Sequence, residues 1–278
     1  MNLVDETRPE TVTTHDIQSA DGLKLFVRDY PAVAPETGLP VVCIHGLTRN
    51  SRDFELVAPR IAALGRRTLA LDVRGRGNSQ RDPDAAHYSP VIYVQDAIRV
   101  LDQLGVKRAV FIGTSMGGII TMSLAATSPQ YIAAAVLNDV GPVLEAAGLQ
   151  RIAGYVGKVM RYESVDAAMA ATKAGQAAAH PDRDDAFWRR FVRRTARIEA
   201  DGGVTLDYDP AIANAFANGA APVDMTTLFE ALAKVPVLVV RGGESDLLSR
   251  EGIDLMRIVK PNLLAVEAPG VGHAPTLE

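Results

Sequence analysis

Residues 111–118 read FIGTSMGG. A single serine, Ser115, stands between Gly113 and Gly117, directly after the apolar run 109–113 and directly before a second apolar run that begins at Met116. A short run of β-branched and aromatic residues followed by glycines and a helical pattern predicts a buried strand that turns sharply into a helix. Such a turn crowds the backbone, so glycines on either side of the serine have a mechanical reason. The pattern G-x-S-x-G in this context lifts a hydroxyl to a helix N-terminus, where backbone N–H groups favour a developing anion. Ser115 is therefore read as a nucleophile; the competing reading is a helix cap.

Further short apolar runs lie on both sides of this stretch: VVCIH at 41–45, TLALD at 68–72, AVFIG at 109–113, AAVLN at 134–138, VPVLVV at 235–240 and LLAVE at 263–267. Continuous apolar runs are the mark of strands covered on both faces. Helical patterns near 52–64, 91–104, 116–127 and 250–259 supply the cover and the crossovers, the last with Ser249 as its N-cap. Before them, 12–19 and 23–30 flank Asp21-Gly22, which predicts an antiparallel hairpin. The expected fold is α/β: a mainly parallel central sheet with an N-terminal antiparallel hairpin and helices on both faces. The alternation breaks over 139–235, where no buried strand is legible. The expected organisation is a core of 12–138 and 236–278 with a helical insertion at 139–235. In that insertion Phe187, Trp188, Phe191, Val192 and Ile198 recur at helical spacing, with Arg189, Arg190, Arg193, Arg194 and Arg197 on the opposite, solvated face.

Composition narrows the function. With 278 residues, 47% hydrophobic content and a net charge of −4, the chain builds a large core and presents no global field for nucleic acid or an anionic membrane. No stretch of about 18 apolar residues predicts a membrane span. The acidic start, MNLVDETRPETVTTHD, lacks a secretory pattern, so a cytoplasmic protein is expected. The one cysteine, Cys43, lies in an apolar run and reads as a buried structural thiol.

A serine needs a base before it attacks anything. Of the five histidines, His15, His87 and His180 fall in the hairpin, a polar loop and the insertion, while His45 and His273 both follow predicted strands. Ligands bind at the carboxyl ends of strands in open parallel sheets, so both of the latter qualify.

The set HGLTRN, DVRGRGNS, GTSMGG, GGESDLLS and GVGHAPTL resembles the α/β-hydrolase family, whose triad runs in the order Ser, acid, His. The resemblance spans from about residue 20 to the end of the chain. It implies Ser115 as nucleophile, His273 as general base, Asp246 as the acid and the N–H groups of Leu47 and Met116 as the oxyanion hole. Asp139, in LNDVGP, is the rival acid, because some members take the acid from there. His45 becomes a structural residue, and Asp72, Arg74 and Gly77 hold a turn. RGRGNS is not a nucleotide loop, since G-x-G-x-x-G fails at Gln80. The insertion becomes a lid over the serine. The family closes with a helix after the histidine loop, whereas here Glu278 stands five residues after His273, so one sheet edge is expected to be uncovered. The activity implied is hydrolysis of a small-molecule carboxylic ester or lactone through an acyl-enzyme, without metal or organic cofactor. The alternatives are hydrolysis of a carbon–carbon bond in a ring-cleavage-type product, or a ligand-binding protein that has lost turnover.

Overall fold

The computed structural model describes residues 12–33, 35–177, 179–216 and 224–277. Residues 1–11 and 278 lie outside the described residues, and with them most of the acidic N-terminal stretch. The first two strands, β1 (Thr13–Gln18) and β2 (Lys24–Tyr30), form the antiparallel hairpin around Asp21-Gly22, where Gly22 takes a φ of 83°. Six further strands complete an eight-stranded sheet: β3 (Val41–Ile44), β4 (Thr68–Asp72), β5 (Ala109–Thr114), β6 (Ile132–Asn138), β10 (Val237–Gly242) and β11 (Leu264–Ala268). Their order is β1-β2-β4-β3-β5-β6-β10-β11, with every pair from β4 to β11 parallel. The chain steps outward from β3 to β4 in one direction and from β5 to β11 in the other. The reversal opens a crevice at the carboxyl ends of β3 and β5, where ligands settle in such sheets.

The central strands are buried along their length, which is why they read as unbroken apolar runs. One face is packed by α2 (Pro90–Gln103), α3 (Met116–Thr127) and α8 (Arg250–Val259), whose Val100, Ile120 and Met256 join Val42, Leu69 and Val239. The other face is packed by α1 (Val57–Ala63), where Phe54, Ala58 and Ala62 meet Cys43 and Ala70. The helical pattern at 52–64 resolves into a 3₁₀ turn at Ser51–Phe54 and then α1, because the Ser51 N–H is captured by Asp72 at 2.6 Å. On the α1 side the cover thins toward β11: Val110, Val136, Leu238 and Val240 are half-buried, and Leu264 and Val266 are 67% and 51% exposed.

Between β6 and β10 lie α4 (Ala146–Ala153), α5 (Val165–Gln176), α6 (Asp185–Thr195) and α7 (Thr226–Glu230). A three-stranded sheet accompanies them, β7 (Arg161–Tyr162), β8 (Ala196–Ile198) and β9 (Val204–Leu206), in the order β7-β9-β8. Strands of two or three residues are too short for alternation to reveal, so a purely helical insertion was the sequence expectation. Asp184 caps α6 through the Phe187 N–H at 2.8 Å, and Phe187, Trp188, Phe191 and Val192 are buried as the spacing requires. One of the arginines is not solvated, and another, although exposed, lies outside the helix. Arg194 is 4% exposed and pairs with Glu55, and Arg197 lies in β8 and pairs with Asp207. Ile198, in the same strand, is exposed. No described helix is long and apolar enough to cross a membrane.

Candidate active site

Ser115 sits between the last residue of β5 and the first of α3, with a φ of 50° and a ψ of −115°. A non-glycine residue in that region is strained, and the surroundings hold it there. A Cβ on Gly113 would come within 2.5 Å of the Gly117 backbone, and one on Gly117 within 2.0 Å of the Ile44 carbonyl oxygen. Only glycine lets β5, α3 and β3 approach so closely. The Ser115 N–H donates to the Asn138 carbonyl at 2.9 Å, and its own carbonyl accepts from Gly118 and Ile119, so the hydroxyl alone is left to project into the crevice.

There it meets His273. Nε2 of the imidazole lies 3.0 Å from Ser115 Oγ, and Nδ1 lies 2.6 Å from Asp139 Oδ2. Asp139 directly follows β6, has a φ of 56° and is fully buried. Its Oδ1 accepts from the Gly242 N–H at 2.8 Å, and its Oδ2 also accepts from Ser245 Oγ at 2.6 Å and from the Ala274 N–H at 3.2 Å. With four hydrogen bonds accepted, three of them on Oδ2, the carboxylate is fixed in place and aimed at Nδ1. Asn138 Nδ2 donates to the Pro275 carbonyl at 2.9 Å and ties the histidine loop to β6.

The expectation that Asp246 is the partner of His273 is therefore corrected to Asp139. The Asp246 carboxylate forks onto Arg151, at 2.5 Å to Nε and 2.8 Å to Nη2, and its side chain is 36% exposed. The Arg151 guanidinium holds the Asp246 carboxyl below the usual carboxylate range. The loop after β10 thus contributes a serine hydroxyl, Ser245, to the site and turns its carboxylate outward. Asp139 was legible as the residue immediately following a buried strand; Ser245 and Asn138 carried no signal in the sequence.

Of the predicted oxyanion donors, Met116 directly follows Ser115 at the start of α3, and Leu47 lines the same cavity as Ser115. Among the described residues the N–H groups of Leu47 and Met116 have no protein acceptor. The Leu47 loop is braced by His45, which is fully buried, with Nδ1 donating to the Gly46 carbonyl at 2.7 Å and Nε2 accepting from the Val73 N–H at 3.0 Å. Burial brings the His45 pKa down from 6.5 to about 4, so the ring is neutral at pH 7. A histidine depressed in the folded state stabilises fully above its unfolded pKa and loses that contribution as pH falls. For His45 the loss between pH 6.5 and 4 amounts to roughly 3 kcal/mol. A His45→Gln variant is expected to melt lower than wild type at pH 7 and to lose less stability between pH 7 and pH 4.5. Parallel melting curves with equal slopes would show that another group sets the acid limit.

Asp72, Arg74 and Gly77 hold the turn after β4, as Asp72 accepts from the Ser51 and Asn78 N–H groups and packs against the Gly77 backbone. Cys43 is fully buried, and desolvation pushes its thiol well above the usual range. Among the described residues Asp21, Asp82 and His87 bring potential metal-ligand atoms within 4.8 Å of one another, and the Arg74 guanidinium is the cation bound by both carboxylates.

Ser115 and His273 open onto a cavity of about 310 Å³. Its floor is made by the Gly46–Arg49 loop, Asn138 and the histidine loop, and its wall by the segment between β6 and β10, including Arg151, Ile152, Tyr155, Phe191 and Tyr208.

A family model described as the alpha/beta hydrolase family matches residues 41–278. The 3-hydroxybutyrate-oligomer hydrolase of Cupriavidus necator is 36% identical over 245 residues, covering 85% of this chain and 83% of that protein. The crystal structure of an alpha/beta hydrolase from Novosphingobium aromaticivorans superposes with a TM-score of 0.89 at 43% identity, over 96% of this chain and 93% of that one. That of E-2-(acetamidomethylene)succinate hydrolase superposes with a TM-score of 0.80 at 24% identity, over 95% and 92%, a likeness of fold alone.

Proposed function

The chain belongs to the alpha/beta hydrolase family, and from that premise we propose that it is a serine hydrolase of carboxylic esters, acting through Ser115, His273 and Asp139. The observation that carries this reading is the hydrogen-bonded line from Asp139 through His273 to Ser115 Oγ. Nδ1–H is held by Asp139, which leaves Nε2 as the acceptor for the serine proton. Ser115 Oγ attacks the ester carbonyl carbon and His273 takes the proton. The carbonyl oxygen becomes an oxyanion facing the Leu47 and Met116 N–H groups. Collapse breaks the bond to the leaving alkoxide, which takes the proton from Nε2. A water molecule then gives its proton to His273 and attacks the acyl-enzyme, and collapse breaks the acyl bond to Ser115 Oγ, which takes the proton back from Nε2 as the acid is freed.

The cavity and the C. necator relative support the substrate class. A volume of about 310 Å³ is at the small end for a ligand pocket and suits a short acyl chain. Arg49 and Arg151 both line it, each forked through Nε and Nη2 onto a carboxylate of this chain, Asp53 and Asp246, which leaves Nη1 of each for a further acceptor. An oligomer of a hydroxy acid is joined by esters and ends in a carboxylate, which matches an ester-cleaving serine with cations nearby. We read the segment between β6 and β10 as a lid that closes this pocket.

Purified protein is expected to hydrolyse p-nitrophenyl acetate and butyrate faster than the octanoate. It is also expected to cleave the 3-hydroxybutyrate dimer with a kcat/KM about tenfold above that of the dimer's methyl ester, the worth of one charge-assisted contact. Equal rates on acid and methyl ester would remove the carboxylate from the substrate class. Absence of turnover on every ester would remove the ester itself.

A further inference from the structure

Two arginines stand two residues apart in the turn after β4, and each is 1% exposed. Their charge balance is opposite. Arg74 is surrounded by three carboxylates, from Asp21, Asp82 and Asp96, at 2.9, 2.5 and 2.7 Å. Arg76 has none within ion-pair distance among the described residues. Its Nε donates to the Leu47 carbonyl at 2.9 Å, its Nη1 to the Arg74 carbonyl at 2.8 Å and to Tyr93 Oη at 2.9 Å, and its Nη2 lies 3.6 Å from Met116 Sδ. The rings of Tyr93 and Tyr88 lie 5.1 and 5.6 Å from the guanidinium carbon. Every one of these partners is neutral.

Burying a charge without an opposite charge is expensive, and a folded protein has little stability to spare for it. The guanidinium keeps its charge in such a place because arginine does not deprotonate. Besides Tyr93 on α2, the residues it reaches beyond its own turn are Leu47 and Met116, the pair read above as the oxyanion donors. We propose that Arg76 is a positioning residue for the oxyanion site: it ties the Leu47 loop to Met116 at the start of α3 and places a positive charge without a paired carboxylate behind their donors. This inference rests on the ester-hydrolase reading of the site. A fixed cation in a dry environment acts more strongly than in water and needs no reorganisation when the oxyanion forms. It does not touch the substrate, so it favours the charged intermediate over the neutral ester. Neutral partners are what such a role requires, because a carboxylate beside Arg76 would cancel its field at the oxyanion.

The test compares wild type, Arg76→Met and Arg76→Lys on p-nitrophenyl acetate, with Ser115→Ala as the blank and melting temperatures measured alongside. Phenylboronic acid serves as the second probe, since Ser115 Oγ adds to boron, the hydroxyl proton passes to His273 and a tetrahedral anion results. Arg76→Met is expected to lower kcat by about 10- to 100-fold with KM within about threefold of wild type, and to weaken phenylboronic acid by a similar factor. Arg76→Lys keeps the charge but not the fork of donors, and is expected to recover most of both losses. If Arg76→Met does not fold, Arg76→Lys alone decides, with kcat and boronate affinity within about fivefold of wild type expected. A kcat unchanged in Arg76→Met, or a loss in Arg76→Lys as deep as that expected of Arg76→Met, overturns the role of the charge while the ester reading stands. No Ser115-dependent turnover in the wild type overturns the ester reading, and the Arg76 role with it.

Discussion

Replacing Ser115 with alanine is expected to lower kcat on a p-nitrophenyl ester by about 10⁴- to 10⁶-fold, with the melting temperature nearly unchanged. The hydroxyl makes one side-chain hydrogen bond, to His273 Nε2 at 3.0 Å, and that bond is the one the chemistry uses. Everything else that holds residue 115 belongs to the backbone: its N–H on the Asn138 carbonyl and its carbonyl under Gly118 and Ile119. Alanine keeps these bonds and bears the same positive φ, so the strain at the turn is carried over unchanged. What disappears is the atom that forms the acyl bond. The residual rate in such variants comes from the oxyanion donors and substrate binding alone. Steady-state kinetics with burst analysis measures it. If the variant retains more than about a hundredth of wild-type kcat, the acyl-enzyme route is wrong.

Asp139→Asn is expected to slow the same reaction by about 10³- to 10⁴-fold, whereas Asp246→Asn stays within a few-fold of wild type. The reason lies in what each carboxylate holds. Asp139 is buried, accepts four hydrogen bonds and holds Nδ1 of His273 at 2.6 Å. An amide in its place presents N–H where donors already point, and so either turns the imidazole to the wrong tautomer or leaves a donor unmatched. A melting scan separates the two, because an unmatched buried donor costs about 1–3 kcal/mol of stability whereas a tautomer change costs rate. Asp246 serves Arg151 instead, in a pair with both side chains more than a third exposed, and such pairs contribute little. The larger rate loss in Asp246→Asn would reverse the assignment.

Much of the fold was legible because its signals are local. The runs 41–45, 68–72 and 109–113 are apolar through their middles, with His45, Thr68 and Asp72 at the ends, and β3, β4 and β5 fall on them, since a strand covered on both faces has no polar side to show. Asp21-Gly22 marked the hairpin, and the glycines around Ser115 marked a backbone crossing too tight for any Cβ. Ser115 and His273 were readable for the same reason, each being set in a glycine-rich turn at a strand's carboxyl end. The small sheet between β6 and β10 was not readable, because strands as short as Arg161–Tyr162 leave no periodicity. Nor was the burial of Arg194, whose partner Glu55 lies 139 residues away.

The partner of His273 was the decision left to three dimensions. Asp139 and Asp246 both follow strands, β6 and β10, and the two strands are neighbours in the sheet, so sequence places both carboxylates near the same histidine loop. The choice is made by direction. Asp139, on the first residue past β6, turns inward at positive φ onto the Gly242 N–H and Ser245 hydroxyl, while Asp246, farther along its loop, meets Arg151 on α4. A residue's type and spacing determine what it is able to do. The hydrogen bonds that aim a buried carboxylate come from segments far apart in the chain, and they exist only once the sheet has brought those segments together.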